Sequence, residues 1–345
     1  MQQRVYYSVR EVTELICNEH ILILTGSDEV LALLPTGNWI GGIADKIPLQ
    51  YNDAGEALCI QVNDLSEWVR SVHINSYQSF NFESIERDVY PNGFSIIAIP
   101  AFSSVHLNYG VYTTTVPQHV ETPIIGWVAG SECGKEDMRE SVVIDGSTGE
   151  FYPERAVVLH CALHDDLKAW FDVLNPFEPD LQRPHFKFSA ASFNVNQCTV
   201  IPAQPPAAER SGHYLENENQ PAEQVNFRQY IAALYPEIDL HNTPLTTTLR
   251  GEIVTNAFLD TSPGRSLILA APVVPGLSYY VGKPRPYAEK QYLAHANSAV
   301  LQINCQYSPF FVPGAIKSYG EVARYLYNLS TIRLHISRAL QTIFL

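Results

Sequence analysis

The sequence predicts a mixed α/β (α+β) fold in which two packed domains have mostly β-sheet cores flanked by helices. The chain has 345 residues, which is too long for one ordinary hydrophobic core. In the first half, capped helical patterns alternate with short apolar runs of strand length. In the second half, the apolar runs are short and are separated by Pro and Gly. We therefore expect one domain at residues 1–175 and a second at 176–345.

The first domain opens as helix, strand and helix. Ser8 and Glu11 have the spacing of a capping box, which predicts a helix that begins after Ser8. Residues 21–24 are a short apolar run that predicts a buried strand, and residues 28–34 predict a second helix. Further apolar runs predict strands at 57–62, 94–99, 123–128, 142–144 and 156–163.

The second domain contains a polar segment and a series of short elements. Residues 202–224 are rich in Pro, Ala, Glu, Asn and Gln, and they predict a linker or long surface loop. An apolar residue recurs at every seventh position over residues 322–343, as in one basic helix for a partner or dimer, but Ser330 and Thr331 favour a helix followed by a strand. Helices are predicted at 227–234 and 319–327, and strands at 252–259, 266–271, 277–281, 300–305 and 331–336.

Charge is distributed unevenly along the chain. The formal net charge is -14, and residues 1–180 carry 9 Lys and Arg against 26 Asp and Glu, while residues 181–345 carry 13 against 10. An acidic first half argues against nucleic-acid binding and against an anionic membrane surface, because both need clustered positive charge. The acidic surface serves solubility, or it docks a basic partner.

The cysteines favour a reducing compartment. Their positions show no C-x-x-C pair, the N-terminus does not resemble a signal peptide, and no apolar run approaches the ~18 residues of a membrane-spanning helix. We therefore expect a cytoplasmic protein with free thiols and no membrane association. The six cysteines are Cys17, Cys59, Cys133, Cys161, Cys198 and Cys305.

The C-terminal part contains an ordered set of motifs: an apolar strand that ends in a cysteine, an aromatic-Gly-Glu turn, and a final segment with Asn and Thr. The residues of this set are Cys305, Tyr319, Gly320, Glu321, Asn328 and Thr331. In this order they resemble the C-terminal half of the FIST domain family, in which the turn precedes a helix.

Two glycine-bearing segments in the first half strengthen this resemblance. Gly41 and Gly42 follow a Leu-Leu-Pro sequence, and Gly126 precedes Trp127 in a second apolar segment. They resemble the two glycine turns of the FIST N-terminal half, and the similarity spans residues 20–340. Trp127 stands where the family usually has a second glycine, Ser131 stands where it has an acidic residue, and no Arg follows Cys305 closely.

The resemblance implies a non-enzymatic intracellular sensory module that binds a small molecule, such as an amino acid or another metabolite. Some members of the family bind haem, which is therefore the alternative ligand. The 345 residues leave no room for a kinase, cyclase or receiver domain, so we expect any output to require a separate signalling or assembly partner protein. A homo-oligomer is also compatible with the sequence.

The predicted ligand site lies where strand ends of the two halves meet. Its glycines would let backbone amides approach a ligand, its tryptophans would wall an apolar pocket, and its carboxylate, at a helix start, would hold a ligand amine. Each residue also has a purely structural interpretation, as a tight turn, a core side chain, a helix cap or a buried thiol. The predicted ligand-binding residues are Trp39, Gly41, Gly42, Gly126, Trp127, Cys305, Gly320 and Glu321.

Two other functions remain open. A hydrolase or transferase would use Ser104, which follows a buried strand, or Cys305, but the G-x-S-x-G elbow is missing. An assembly protein would keep the fold without a ligand.

His160 and His164 lie ~13 Å apart on a strand, which is too far for one metal ion, although either could ligate haem. No catalytic residue and no metal ligand is predicted.

Overall fold

The computed structural model describes residues 5–44, 50–115, 122–130, 141–203, 224–240, 242–261, 266–286, 298–305, 315–318, 320–323 and 325–338. The chain forms two compact units, of which the first contains Met1–Leu174 and Glu289–Leu345 and the second contains Asn175–Ala288. The boundary at residue 174 lies next to the one that the sequence predicts. The C-terminal segment, however, joins the first unit, because its strands pair with strands of that unit.

The described residues form five α-helices and 28 strands. The helices are α1 (Val9–Cys17), α2 (Asp28–Leu31), α3 (Glu83–Arg87), α4 (Ser104–Thr115) and α5 (Phe227–Leu234). The strands up to residue 174 are β1 (Tyr6–Tyr7), β2 (Leu22–Gly26), β3 (Trp39–Ile43), β4 (Gln50–Tyr51), β5 (Ala57–Leu58), β6 (Ile60–Asp64), β7 (Val69–Tyr77), β8 (Gly93–Pro100), β9 (Ile124–Ala129), β10 (Val143–Asp145), β11 (Glu150–Tyr152), β12 (Ala156–Leu163) and β13 (Leu167–Leu174).

The remaining strands divide between the two units. Those of the second unit are β14 (Phe177–Pro179), β15 (His185–Lys187), β16 (Ser192–Val195), β17 (Gln197–Ile201), β18 (Gln224–Asn226), β19 (Leu245–Leu249), β20 (Glu252–Asn256), β21 (Phe258–Asp260), β22 (Leu267–Val273) and β23 (Tyr279–Pro284). The C-terminal strands of the first unit are β24 (Ala299–Cys305), β25 (Ile316–Ser318), β26 (Gly320–Ala323), β27 (Tyr325–Tyr327) and β28 (Thr331–Arg338). The predicted class, a mixed α/β fold with sheet-rich cores, is confirmed.

Sheet I, with strand order β1-β6-β2-β3-β10-β11, carries helices α1 and α2 on one face. Helix α1 begins at the predicted capping box, in which Ser8 accepts from the Glu11 amide and the Glu11 carboxylate accepts from the Ser8 amide. Strands β2 and β3 are parallel neighbours with α2 between them in sequence. The apolar face of α1 and alternate residues of these strands form one buried cluster. Its members are Val12, Ile16, Leu22, Leu24, Leu31, Trp39, Ile60, Val62 and Ile144.

Sheet II, with strand order β27-β26-β9-β8-β12-β7, contains the most deeply buried strands. Every residue of β8 and of β12 is buried, as their continuous apolar runs predict. Strands β8 and β9 are parallel, with α4 between them in sequence, and the other neighbours are antiparallel. The two parallel pairs of sheets I and II therefore share one connection pattern, strand-helix-strand.

Sheet III, with strand order β13-β28-β24-β25, is built from the end of the first segment and the C-terminal strands. In the second unit, β18-β17-β15-β23-β19-β20 and β16-β22-β21 form two sheets around an aromatic-rich core. Helix α5 has the predicted bounds and is capped by Asn226. Most of the predicted loop at 202–224 lies outside the described residues. Within the described residues, no helix combines the length and apolar character needed to cross a bilayer.

The predicted helix at 319–327 is wrong, because β26 and β27 occupy this segment. Strand β26 hydrogen-bonds to β9 and extends sheet II, and β27 forms its edge. Tyr325 and Tyr327 are aromatic residues with high strand propensity, and both are buried. Tertiary pairing with β9 thus overrides the helix that the Gly-Glu motif suggested.

Candidate functional site

Sheets I and II touch where the glycine-bearing strand β3 faces β9. A Cβ atom at Gly42 would lie 2.7 Å from the Ala129 Cβ and 2.9 Å from the Trp127 Nε1. Ala44 and Gly130, which follow these strands, form a parallel bridge. Glycine at position 42 is therefore needed for the close approach of the indole to the β3 backbone. The segments around residues 42 and 127 are thus brought together, as the sequence predicts.

The segment around residue 320 joins the same place through β26. In the antiparallel pair of β26 and β9, Glu321 lies opposite Trp127 and Gly320 lies opposite Val128. Directly opposed residues project from the same face of a sheet. Because the Trp127 indole faces Gly42, the Glu321 side chain projects from the face of sheet II that lies against sheet I. Three distant parts of the chain, near 42, 127 and 321, therefore converge.

The polar atoms at this point of convergence are buried and incompletely paired. Glu321 and Trp127 are both 0% exposed. Neither carboxylate oxygen of Glu321 has a hydrogen-bond partner among the described residues. The Nε1 of Trp127 has none among them either. A buried polar group without a partner is costly and rare in folded proteins. These three atoms are the strongest indication of a ligand-binding function in this unit.

Burial also sets the protonation of Glu321. It raises the pKa of the carboxyl group well above its usual value of 4.5, because ionisation in a dry interior is unfavourable. Backbone N–H groups of Glu321, Cys305 and Ser330 act in the opposite direction and lower this pKa, although none forms a hydrogen bond of ordinary geometry. Desolvation is the larger effect, so the neutral acid is favoured.

Cys305 reaches the site through its backbone. It ends β24 and lies opposite Ser318 of the parallel strand β25. Its side chain is 1% exposed, and its amide is one of the N–H groups that act on the Glu321 carboxylate. The residue is thus near the carboxylate, as predicted, and its thiol is a buried one.

Four of the predicted residues, namely Trp39, Gly41, Gly126 and Gly320, face away from this point. Side chains alternate between the faces of a strand, so Trp39 and Gly41 project towards α1 while Gly42 projects towards sheet II. The Trp39 indole donates to the Pro35 carbonyl at 2.9 Å and packs in the helix-covered core. Gly126 precedes Trp127 in β9 and therefore projects from the opposite face of the strand. A Cβ atom at Gly126 would lie 1.8 Å from the Ile97 carbonyl oxygen, so this glycine allows close packing and does not face the site.

The expected glycine turns are also strands, which corrects the sequence analysis. Gly41 and Gly42 lie inside β3, Gly126 lies inside β9, and Gly320 begins β26. None of these four has a positive φ. Their lack of a side chain allows close packing, since a Cβ atom at Gly320 would lie 2.5 Å from the Asn328 Nδ2.

Apart from Asn328 and Thr331, which belong to the motif set of the resemblance, sequence reasoning missed a set of buried polar residues on β24, β25, β28 and the turn before β28. Thr331 donates to the Asn304 side chain at 2.8 Å, which links β28 to β24. Arg333 is 0% exposed and lies on the same face of β28 as Thr331. The alternation of polar and apolar residues over 331–335 was a usable signal, but it is usually a sign of a solvent-facing strand. The full set is Asn304, Ser318, Asn328, Ser330, Thr331, Arg333 and His335.

The serine at the end of β8 does not form a nucleophile–histidine pair. The backbone and hydroxyl groups of Ser104 both donate to the Glu154 carboxylate. His106 lies within the interior, where burial lowers its pKa to about 3 and its Nδ1 accepts from the Phe102 amide. Ser103 caps α4, because its hydroxyl accepts from the His106 amide at 3.1 Å. This arrangement accounts for both serines as parts of a helix start.

His160 does not present a free ring nitrogen for haem. Its Nδ1 lies 2.8 Å from the Ser95 hydroxyl and its Nε2 lies 2.8 Å from the Tyr77 hydroxyl. Tyr77 donates to the Asp88 carboxylate at 2.6 Å, so Nε2 carries the proton and Nδ1 accepts from Ser95. In the described parts of the chain, no group of three or more His, Cys, Asp or Glu side chains is arranged to hold a metal ion.

Comparison with models of protein families finds a match over most of the chain. The model of a family of unknown function, DUF6976, matches residues 7–337. No curated protein and no solved structure matches the chain.

Proposed function

Because the chain belongs to DUF6976, a family of unknown function, we propose from the geometry of its first unit that it is a small-molecule-binding sensory module. The ligand would bind at the Glu321–Trp127 site, which we define as the Glu321 carboxylate, the Trp127 indole N–H and the facing Gly42 backbone. A single observation supports this proposal: a buried carboxyl group and a buried indole N–H lie on one face of two paired strands without hydrogen-bond partners among the described residues. A ligand with complementary groups would satisfy all three atoms.

The enclosure of the site favours a sensor. The unpaired atoms of Glu321 and Trp127 are shielded from solvent, so a ligand reaches them only when the surrounding strands separate locally. Binding would therefore select an opened arrangement of this unit over the closed one. A separate signalling or assembly partner would respond to that change, as the FIST resemblance implies. That resemblance remains a prediction.

The location that we propose is the cytoplasm. None of the five described cysteines forms a disulfide bond; they are Cys17, Cys59, Cys161, Cys198 and Cys305. Free thiols accord with a reducing compartment.

A ligand screen by thermal unfolding tests the proposal. Amino acids, other metabolites, nucleotides and haem are added separately to the full chain, and the melting temperature is recorded. A ligand at 100 times its Kd stabilises the folded state by about 2.7 kcal/mol. We expect at least one compound to raise the melting temperature in a dose-dependent way.

Matched variants locate the effect. Glu321→Gln and Trp127→Phe should reduce the ligand-induced shift, because each removes one of the unpaired groups. Glu67→Gln, which changes an exposed carboxylate, and Trp68→Phe, which changes a half-buried indole, should respond like the wild type. A screen without any stabilising compound, or variants of the site that respond like the controls, would refute the proposed function.

A further inference from the structure

The open edge of sheet II points to a second copy of this chain as a partner. We propose that β7 pairs antiparallel with β7 of another molecule about a two-fold axis at Ile74, so that the two copies of sheet II form one continuous sheet. Strand β7 lies at the opposite edge of sheet II from β26 and β27. The inference therefore does not depend on the ligand site proposed above.

The hydrogen-bond pattern of sheet II determines which backbone groups of β7 point outwards. The Ser95 amide donates to the Pro123 carbonyl on the β9 side of β8, so the next residue, Ile96, directs its N–H and C=O groups towards β12. Ile96 lies opposite Leu159 of β12, and these two residues therefore exchange hydrogen bonds. His160, the next residue of β12, must direct its backbone groups to the other side, towards β7.

Every second residue of β7 consequently faces away from β12. His73 lies opposite His160 and bonds to it, so Val72, Ile74 and Ser76 direct their N–H and C=O groups outwards. No described residue hydrogen-bonds to these outward backbone groups. The three residues are also only half-buried, whereas every residue of β12 is buried. Within the described chain, β7 thus presents three N–H and three C=O groups along an open edge.

The sequence of β7 lacks the features that usually protect such an edge. Natural proteins place Lys, Pro, inward-pointing charges or a bulge on open edges, because these edges otherwise pair with other strands. Here the register shifts only at Arg70, near the start of β7, and the seven residues Ser71–Tyr77 then pair with β12 without interruption. This segment contains no Asp, Glu, Lys, Arg or Pro, although the formal net charge of the chain is -14. A neutral and regular edge in an acidic chain is suited to pairing.

The regular part of β7 is complementary to a second copy of itself. A two-fold axis perpendicular to the sheet keeps each face of the strand on the same side, as a continuous sheet requires. An axis at Ile74 is the one that pairs all of Ser71–Tyr77, since Ile74 is the middle residue of this segment. The outward groups of Ile74 then meet those of its counterpart, and the outward groups of Val72 meet those of Ser76 of the second copy.

The opposed side chains are compatible in this register. Ile74 lies opposite Ile74 of the second copy, which is an apolar pair of β-branched side chains. His73 lies opposite Asn75 of the second copy, and imidazole and amide groups can hydrogen-bond to each other. No two side chains of fixed like charge are opposed, because the segment contains none.

An extended peptide of another protein could also add a strand to this edge. Such a peptide would need no symmetry in β7. The match of the segment with its own reverse, over its full regular length, favours the second copy.

The mass of the full chain in solution is the first test. Sedimentation velocity at increasing protein concentration should show a species of twice the 38.6 kDa chain mass. Ile74→Pro removes an outward N–H and no bond to β12, so it should stay folded, as checked by circular dichroism, and become monomeric. Ile74→Val keeps this N–H and the β-branched shape, and it should remain a dimer.

Disulfide cross-linking tests the register and does not require the Pro variant to fold. All proteins carry Cys17→Ser, because Cys17 is an exposed thiol. His73 and Asn75 of the second copy form a non-hydrogen-bonded pair with Cα atoms about 4.5 Å apart, which suits a disulfide. Two His73 positions, or two Asn75 positions, are offset by two residues and lie about 8 Å apart, which is too far. Mild oxidation should therefore give covalent dimers in a mixture of His73→Cys and Asn75→Cys proteins, and in neither protein alone.

Several results would overturn the inference. A chain that remains monomeric at all concentrations would do so and would leave the edge to a peptide partner. A folded Ile74→Pro protein that is still dimeric would assign the contact to another surface. Cross-linking that is absent from the mixture, or equal in the single-variant samples and in Cys17→Ser alone, would exclude the axis at Ile74. None of these results bears on the ligand screen, so failure of this inference and failure of the proposed function are distinguishable.

Discussion

Glu321 lies directly opposite Trp127 in the pairing of β26 with β9, and both side chains are fully buried. The pair joins residues almost two hundred positions apart in the sequence. It also leaves an acid and an indole N–H without partners among the described residues. Polar residues that lower stability in this way are typical of functional sites.

The variant Glu321→Gln should increase the free energy of unfolding at neutral and higher pH. The folded-state pKa of Glu321 is raised, so above the unfolded value of about 4.5 the native state binds more protons than the unfolded state. Stability is therefore lost as pH rises through this window, by up to about 1.4 kcal/mol per pH unit. Glutamine cannot ionise and should remove that loss.

Urea unfolding of the two proteins between about pH 4 and pH 9 measures the effect. The curves should nearly coincide at the acidic end and should diverge as pH rises. Glu67→Gln, at an exposed position, serves as the control and should follow the wild type. Parallel curves for Glu321→Gln and the wild type would contradict the protonation assigned to the buried acid.

The sequence predicted local elements better than the site. The continuous apolar run of β8 and the capping box of α1 were identified correctly, because short-range patterns determine both. The segment 319–327 was misassigned, since its strand conformation depends on pairing with β9. Local propensity cannot report such a distant partner.

The face on which each predicted residue lies was also beyond the sequence argument. Trp39, Gly41 and Gly42 were all expected at one pocket, within a turn. Once residues 39–43 are known to be a strand, the period of two places Gly42 opposite to the other two. Sequence patterns thus found the correct segments, and the strand assignment was needed to separate the residues of the site from those of the helix-covered core.

Substitutions of the two packed glycines should differ in severity. Gly42→Ala places a methyl group 2.7 Å from the Ala129 side chain and 2.9 Å from the Trp127 indole, so side chains must shift. Overpacking of this kind costs about 1–3 kcal/mol. Gly126→Ala places a methyl group 1.8 Å from the Ile97 carbonyl, so the backbone of β8 must move, and the loss should be larger. Urea midpoints of both variants test this order, and a milder effect of Gly126→Ala would contradict the packing described for β9.

His160 should contribute to acid sensitivity. Burial, followed by repulsion from His73, lowers its pKa from 6.5 to about 4, while Asp88 acts in the opposite direction. Below pH 6.5 the unfolded state therefore binds more protons than the folded state. The free energy of unfolding falls as pH falls towards the folded-state pKa, by about 3 kcal/mol in total.

His160→Gln should lower the free energy of unfolding at neutral pH, because Ser95 or Tyr77 loses a hydrogen-bond partner. It should also reduce the pH dependence of this free energy between about pH 4 and pH 6.5. His164→Gln, which changes an exposed histidine, should retain the wild-type slope, and an equal slope in all three proteins would rule out His160 as the source.

The paired serines at the start of α4 provide the last test. Ser103 is 6% exposed, accepts from the His106 amide and donates to the Pro100 carbonyl at 2.7 Å, so Ser103→Ala leaves two buried backbone groups without their partner. Loss of such a cap costs about 1–2 kcal/mol. Ser104 is exposed and hydrogen-bonds to an exposed carboxylate, so Ser104→Ala should have a smaller effect on the urea midpoint.

Labelling with a fluorophosphonate probe tests whether Ser104 is a nucleophile. Because both serines have a capping role, we expect no labelling of the wild type, Ser103→Ala or Ser104→Ala. Labelling of the wild type and Ser103→Ala but not of Ser104→Ala would show that Ser104 is a nucleophile.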